Sequence, residues 1–331
     1  MVQSKLNTVF KVNKYSDFAA RLSECFEQEV NRLPDVTSPH VKEIFNWVLN
    51  EAKGSWHRPK LIYALSPYGE VDLDKAVYLA TVAEMIHCAT LLHDDVIDHG
   101  LIRRNKPTAN ALYGNANAVL SGDVLLARSL EILLEHRPQA ISNAIHAISD
   151  LAVSAQNENM LLGKVSTGFH EWKDIAKRKT GSLIGFCLAG LYPAEKRKEL
   201  FQLGYDLGVF FQLCDDIKDF QPSVSGKPSL QDLRNGNPNW VIIHSLQKNI
   251  RLQDRLEKFW STDQSSSDTG ILLSQFDMTS DIQSAMEQVN TLFDQLRINL
   301  LKQLGPNGQL PILTWLQSIY GSLQQDRAIA K

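Results

Sequence analysis

The stretch that decides the fold is Val77–Asp98, which reads VYLATVAEMIHCATLLHDDVID. Its apolar residues recur three and four positions apart, and this spacing predicts a helix. Glu84 and His87 interrupt the apolar run before it ends in the acidic pattern D-D-x-x-D. The run falls short of the roughly 18 uninterrupted apolar residues typical of a transmembrane segment. We therefore predict a buried core helix and no transmembrane segment.

The same helical spacing extends along most of the chain, and convincing period-two strands are absent. Ser38 is a candidate N-cap for a helix to about Lys53, and Asp72 or Asp74 is a candidate start for the helix that ends near Asp98. Further predicted helices cover Ala116–Glu135, Pro138–Leu162, His170–Leu191, Lys196–Phe220, Asn239–Phe259, Ser280–Leu304 and Pro311–Leu323. The sequence predicts an all-α fold of about a dozen helices. We expect one domain over residues 1–331, with a flexible N-terminus at 1–14.

Two segments are predicted to be loops. Gln221–Asn239 is rich in Pro, Gly, Ser and Asn and directly follows an acidic helix end. A loop in that position is a candidate lid over a charged site. Ser261–Thr269 is a polar run that we expect to be a surface connection.

Composition limits the possible functions. Hydrophobic residues make up 44% and charged residues 21%, and the formal net charge is −3. A nucleic-acid partner is disfavoured, because phosphate backbones require a basic surplus. The four cysteines lie in apolar helical stretches without metal-ligand spacing, which predicts reduced thiols and no zinc site. The first fourteen residues lack the apolar core of a signal peptide, so we expect a cytoplasmic protein.

A second acidic cluster repeats the first. Phe211–Asp219 reads FQLCDDIKD, which again places D-D-x-x-D at the end of an apolar helix. Asp94 stands over Asp98, and Asp215 over Asp219, because residues four apart share a helix face. Like charges at that spacing repel, and Mg²⁺ relieves the repulsion because it prefers oxygen ligands and completes its shell with water and phosphates. One such cluster could be a solvated helix end, but two together predict a cage for magnesium and a diphosphate.

Basic and polar residues accompany the acidic clusters, as a diphosphate site requires. Each of them taken singly is typical of a solvated surface or a satisfied core position. His87 lies seven residues before Asp94, on the same face of the helix. The candidates are Arg58, His87, Arg103, Arg104, Lys179, Thr180, Gln212 and Lys227.

These motifs together resemble the trans-isoprenyl (polyprenyl) diphosphate synthase family, and in particular long-chain members such as octaprenyl diphosphate synthase. The matching segments are Ile86–Asp95 with Arg103-Arg104 and Pro107-Thr108, Gly122-Asp123 with Ala127-Arg128, Lys179-Thr180, Phe211–Asp219, and Gly226-Lys227-Pro228 with Asp232-Leu233 and Gly236. The resemblance implies an isoprenoid synthase-type helical bundle with a central active-site cavity, assembled as a homodimer. It also implies condensation of isopentenyl diphosphate with an allylic diphosphate such as farnesyl diphosphate.

The resemblance assigns roles to the candidate residues. The catalytic set consists of Asp94, Asp95, Asp98, Asp215, Asp216 and Asp219. Among them Asp94, Asp98, Asp215 and Asp219 are the expected ligands of several Mg²⁺ ions, which bridge the substrate diphosphate. The residues expected to contact the allylic substrate are Arg103, Lys179, Thr180, Gln212 and Lys227. Those expected to bind isopentenyl diphosphate are Arg58, His87 and Arg104.

Two positions bear on specificity. Ala89 lies five residues before Asp94, where in the family a small side chain leaves the cavity open. We therefore expect a long product, of the octaprenyl or solanesyl class. Ser55 stands where the family usually has a diphosphate-binding lysine, in the run KGSWHRP at residues 53–59. This departure leaves room for a modified specificity or for a partner-dependent subunit.

Two other functions fit parts of the sequence. A class I terpene synthase shares the acidic cage and the helical bundle, but the arginines after the first motif and the Arg58-Pro59 pair favour chain elongation. A non-catalytic or partner-dependent subunit of a heteromeric prenyl synthase would be expected to lose motif aspartates, and all six are present here.

Overall fold

The computed structural model describes residues 15–33, 39–52, 56–69, 71–103, 106–220, 230–261 and 278–329. It confirms the all-α prediction. The helices are α1 (Tyr15–Asn31), α2 (Pro39–Ala52), α3 (His57–Leu65), α4 (Leu73–Ile97), α5 (Ala109–Tyr113), α6 (Asn115–His136), α7 (Ile141–Leu161), α8 (Phe169–Ala176), α9 (Ser182–Leu191), α10 (Arg197–Asp219), α11 (Gln231–Asn235), α12 (Trp240–Lys248), α13 (Ile250–Ser261) and α14 (Met278–Ile329). A small antiparallel hairpin joins α4 to α5, and its strands are β1 (Ile102–Arg103) and β2 (Lys106–Pro107).

Helix α4 is a core element. Asp72 caps its N-terminus, where the carboxylate accepts a hydrogen bond from the Lys75 N–H at 2.8 Å. By length and composition alone, α4 is a candidate to cross a membrane, yet most of its apolar stretch is buried inside the protein. This burial agrees with the predicted core helix.

The chain forms two compact units. The first contains the described residues up to Ile148 together with Gly185–Phe201, and the second contains Ser149–Ile184 and the described residues from Gln202 onward. In the first unit α4 packs against α1, α3 and α6. Close packing also holds the end of α9 there, because a Cβ on Gly190 would lie 2.8 Å from Leu79 Cδ2.

In the second unit, a buried carboxylate joins α12 to α14. Asp281 accepts hydrogen bonds from Ser245 Oγ at 2.5 Å, His244 Nδ1 at 3.1 Å and Lys248 Nζ at 3.3 Å. Farther along, α14 is broken at Gly305, where φ is 71°. Glycine adopts this left-handed conformation without a steric penalty.

The predicted helices differ from the observed ones in several regions. The segment predicted as one helix over His170–Leu191 consists of α8, a π-helical turn (Lys177–Gly181, the π turn) and α9. The helix predicted over Asn239–Phe259 is divided at Asn249, which has extended backbone angles. Helices α1 and α3 were not predicted, and part of the proposed lid forms α11.

Candidate active site

The first acidic cluster lies at the end of α4, and its three aspartates have different surroundings. Asp98 is the exposed C-cap, Asp94 is half-buried, and Asp95 is buried. Arg103 donates to Asp95 from Nη2 at 2.8 Å and from Nε to both carboxylate oxygens at 3.1 Å. This bidentate ion pair attaches the hairpin to the acidic helix end.

Further hydrogen bonds fix the turn between α4 and the hairpin. The backbone oxygen of Asp95 accepts from the Gly100 N–H at 2.9 Å and from Asn110 Nδ2 at 3.2 Å. Asn110 Nδ2 and Thr108 Oγ1 also donate to the Gly100 oxygen, at 3.1 and 2.8 Å. Hydrogen bonds to both its side chain and its backbone thus hold Asp95 in place.

A glycine allows α6 to approach the same end of α4. His93 Nε2 lies 3.1 Å from the Val119 backbone oxygen and 3.5 Å from Asp123 Oδ1. A Cβ on Gly122 would lie only 2.3 Å from that Nε2. The Gly122-Asp123 pair therefore accommodates and orients the imidazole beside Asp94.

A buried acid that sequence reasoning passed over lies one turn before His87. Glu84 is 4% exposed, and its Oε1 lies 4.0 Å from Arg58 Nη1. Arg58 Nε is buried without a hydrogen-bond partner among the described residues. The charge of Glu84 in an otherwise apolar helix was the available signal, because a buried acid requires a partner. His87 itself is half-buried, two turns before Asp94.

The second acidic cluster lies at the end of α10, and its middle aspartate is also turned inward. Asp216 is fully buried and accepts hydrogen bonds from Trp172 Nε1 at 2.8 Å, the Trp240 N–H at 2.7 Å and Gln212 Nε2 at 2.9 Å. Burial raises the pKa of Asp216 well above its ordinary value, and these donors oppose the shift. Asp215, by contrast, is exposed.

Asp219 supports the part of the predicted lid that forms α11. Its Oδ1 accepts from the Gln231 N–H at 2.9 Å and its Oδ2 from the Asp232 N–H at 3.0 Å, so the carboxylate caps α11. Burial, with the nearby negative charge of Asp232, raises the pKa of Asp219 to about 6. Asp232 in turn accepts from Asn239 Nδ2 at 2.8 Å.

The predicted allylic contacts of the second unit lie together. Lys179 and Thr180 are in the π turn, and Thr180 Oγ1 donates to Gln212 Oε1 at 3.3 Å. The ammonium group of Lys179 pairs with Glu158. Arg104, Lys227 and Ser55, which the sequence analysis singled out, lie outside the described residues.

The donors present fit a magnesium ion that relies on its substrate. Within the described ranges, no group of three or more His, Cys, Asp and Glu residues is placed to hold a metal by itself. Mg²⁺ commonly takes one or two carboxylates and fills its octahedron with water and phosphate oxygens. Asp94 with Asp98 in the first unit, and Asp215 with Asp219 in the second, are carboxylate pairs of that kind.

Comparison with known proteins identifies the family. The family model described as "Polyprenyl synthetase" matches residues 39–271, which is more than half of the chain. The nonaprenyl diphosphate synthase of Mycobacterium tuberculosis is 31% identical over 237 residues, which cover 69% of each chain. The heptaprenyl diphosphate synthase component 2 of Bacillus subtilis is 34% identical over 217 residues, which cover 63% of this chain and 62% of that protein.

Solved structures share the fold. A decaprenyl diphosphate synthase from Rhodobacter capsulatus superposes with a TM-score of 0.82 at 23% identity, covering 93% of this chain and 97% of that one. A polyprenyl synthase from Caulobacter crescentus, complexed with calcium and isoprenyl diphosphate, gives 0.76 at 24% identity, with coverages of 92% and 96%. The fold is thus the isoprenoid synthase helical bundle, and the chain belongs to the polyprenyl synthetase family of prenyltransferases.

Proposed function

We propose that this enzyme adds isopentenyl diphosphate repeatedly to an allylic diphosphate such as farnesyl diphosphate and releases a long all-trans polyprenyl diphosphate. The observation that carries the proposal is the difference in burial between the aspartates of the first acidic cluster. Asp95 is buried and paired with Arg103, whereas Asp94 is half-buried and Asp98 is exposed. Carboxylates that solvent can reach can take a cation together with a diphosphate.

The metal ligands that we propose are Asp94, Asp98, Asp215 and Asp219. Several bound Mg²⁺ ions would supply charge neutralisation for the departing diphosphate. The Caulobacter protein that is complexed with calcium and isoprenyl diphosphate supports a divalent cation for this fold. Asp219 retains lone pairs for this role, because each of its oxygens accepts one backbone hydrogen bond.

The protein's own groups bind and orient the two substrates. Arg103, Lys179, Thr180, Gln212 and Lys227 contact the allylic diphosphate, and Arg58, His87 and Arg104 bind isopentenyl diphosphate. Asp95 and Asp216 complete the catalytic set by holding Arg103 and Gln212 in place. Donors fixed in advance stabilise charge on the leaving group without reorganising at the moment of reaction.

The reaction proceeds by ionisation. The allylic carbon–oxygen bond breaks, and the electron pair leaves with the diphosphate. The isopentenyl double bond attacks the allylic cation, and the released diphosphate takes the proton that is then lost. The apolar side chains of α4 would keep water away from the cation.

The test is incubation of the purified chain with farnesyl diphosphate, labelled isopentenyl diphosphate and Mg²⁺, followed by product sizing. We expect a ladder that ends in a long all-trans product, and at least a hundredfold loss of incorporation in D94N and D98N. An active chain that cyclises farnesyl diphosphate without isopentenyl diphosphate would instead be a terpene synthase. A folded chain that incorporates no label alone would be a partner-dependent subunit.

Product length is proposed to depend on Ala89. This side chain is fully buried on α4, and we expect A89F to yield distinctly shorter products because the ring would fill space needed by the growing chain. The matched control is A80F, which introduces the same bulk at a fully buried position nine residues earlier, on the opposite side of the helix. An unchanged product distribution in A89F would reject this role.

We further infer a homodimer in the cytoplasm. Leu120, Ala127 and Leu134 follow one another at seven-residue spacing along α6, and all three are exposed. An apolar stripe with this period is typical of helices that pair with another helix. The Bacillus relative is named as a component of its enzyme, so a second type of subunit is the alternative occupant.

A further inference from the structure

We propose that Asp150, Arg178 and Tyr205 are positioning residues that hold the π turn, so that Lys179 and Thr180 face the allylic diphosphate. The inference rests on the proposed function, because it assigns a task to residues around a substrate contact. None of the three belongs to the motifs that carry the family resemblance. They lie together in the second unit, on α7, in the π turn and on α10.

The π turn requires external support. A π-helical turn inserts an extra residue into a helix, and such turns occur often at functional sites. Here it separates α8 from α9 and carries Lys179 and Thr180 at its centre. The extra residue sets the direction in which these two side chains leave the helix axis. Any contact that fixes the turn therefore also fixes them.

Asp150 supplies the main contact. Its side chain is buried on α7, and its two oxygens accept hydrogen bonds from Arg178 Nη1 at 2.5 Å and from the Tyr205 hydroxyl. Arg178 also donates through Nε to Asp174 at 3.0 Å. A buried carboxylate is stable only when it is paired and hydrogen-bonded, so the cluster has one strongly preferred arrangement.

The backbone of the turn is pressed against α10 next to this cluster. A Cβ on Gly181 would lie 2.6 Å from Tyr205 Cα, and a Cβ on Gly208 would lie 2.3 Å from Gly181 N. Ser182 Oγ donates to the Arg178 oxygen at 2.6 Å. Two glycines thus permit the close approach, and Asp150 sets its register through Arg178 and Tyr205.

The effect of this support is seen at Thr180 and Gln212, two of the residues proposed to contact the allylic diphosphate. Thr180 Oγ1 donates to Gln212 Oε1, and Gln212 Nε2 donates to the buried Asp216. These hydrogen bonds can form only if the π turn lies at the correct position along the axis of α10. A displacement of about 1 Å at a binding group can cost up to a hundredfold in rate.

The experiment compares D150N, R178K and Y205F with D174N, measuring steady-state kinetics for each substrate separately. D174N is the matched control, because it alters the half-exposed partner of Arg178 and leaves Asp150 in place. We expect D150N and R178K to raise the KM for farnesyl diphosphate about tenfold while the KM for isopentenyl diphosphate changes less than twofold. Y205F should show a smaller increase, and D174N should resemble the parent.

A second measurement separates this inference from the proposed function. Calorimetric titration with inorganic diphosphate in the presence of Mg²⁺ does not depend on turnover, and D150N should bind as weakly as K179A. Circular dichroism establishes which variants are folded. If D150N fails to fold, Y205F serves as the test, because it retains the ion pair between Asp150 and Arg178. Equal rises in both KM values, or unchanged diphosphate binding in folded D150N and Y205F, would overturn the inference. An inactive parent that still shows the binding difference would contradict only the proposed function.

Discussion

Asp95 and Asp216 hold the second position of their D-D-x-x-D motifs, and both side chains point into the protein. Each accepts hydrogen bonds from protein donors, Asp95 from Arg103 and Asp216 from Trp172, Trp240 and Gln212. The first aspartate of each motif is less enclosed. A repeated acidic pattern therefore contains two kinds of residue, a buried one that is held by protein donors and a more exposed one that solvent can reach.

The contact between Gly122 and His93 gives a stability prediction. We expect G122A to lower the free energy of unfolding by about 1–3 kcal/mol, because the new methyl group must displace the imidazole from its contact with the Val119 oxygen. Urea denaturation measures the change. The control is G321A, since a Cβ at Gly321 meets nothing within 4 Å, and alanine should be neutral or stabilising there. Equal stability in the two variants would contradict this account.

The cysteines should differ in reactivity. Cys88, Cys187 and Cys214 are buried and Cys25 is half-buried, all four with free thiols. Burial raises the pKa of Cys187 to about 12, so the reactive thiolate is scarce at pH 8. Iodoacetamide should therefore modify Cys25 first in the folded protein, and all four sites only in urea. Peptide mass spectrometry assigns the adducts, and early modification of Cys187 would be the contrary result.

At the scale of secondary-structure elements, the predictable helices were those with a clear start signal in the sequence and a regular spacing of apolar residues. The bounds of α2 and α4 agree with the predicted ones to within about a residue, because the sequence carries a start signal for each helix and their apolar spacing is regular. The π turn was not predictable, because the contacts around it, of Gly181 with Tyr205 and of Arg178 with Asp150, join residues that are far apart in the sequence. Helix α3 was missed because it is short and begins after Trp56, a non-glycine residue with a φ of 46°.

Helices α1 and α6 are joined by a buried ion cluster, and this gives a second stability prediction. Glu29 accepts from Arg128 Nε at 3.0 Å, Arg128 Nη2 at 2.5 Å and Arg32 Nη1 at 3.0 Å. We expect E29A to lower the free energy of unfolding by about 3 kcal/mol, because it leaves Arg128 largely buried without its main partner. The double variant E29L/R128M should lose less, since it removes both charges. A double variant less stable than E29A would argue against this explanation.

At the scale of the whole molecule, the comparisons establish the family, and the motifs had already indicated it. The single domain predicted for residues 1–331 stays a prediction, and the compact units each carry one acidic cluster. The sequence could name the candidate residues but could not say which were already occupied by protein partners. Asp216 and Lys179 show this, because their partners Trp172 and Glu158 lie 44 and 21 residues away in the sequence.

The proposed homodimer is testable on the same scale. We expect L120E/L134E to shift the protein from dimer to monomer in light scattering after size-exclusion chromatography, because charges replace the apolar stripe of α6. The control is I298E, which changes an equally exposed apolar residue on α14. If the parent is a monomer, or if L120E/L134E stays dimeric, α6 does not provide the interface.

Because Arg103 attaches the hairpin to Asp95, a fluorescent label on the hairpin could report ligand binding at the acidic cluster. Ile102 precedes that arginine on β1 and is 74% exposed, so its side chain lies on the face of the strand opposite Arg103 and Asp95. A fluorescent dye attached to a cysteine at position 102 would lie on β1, next to the arginine that pairs with Asp95 at the end of α4. Its emission would follow occupation of Asp94 and Asp98 in real time, without a radioactive substrate and without turnover.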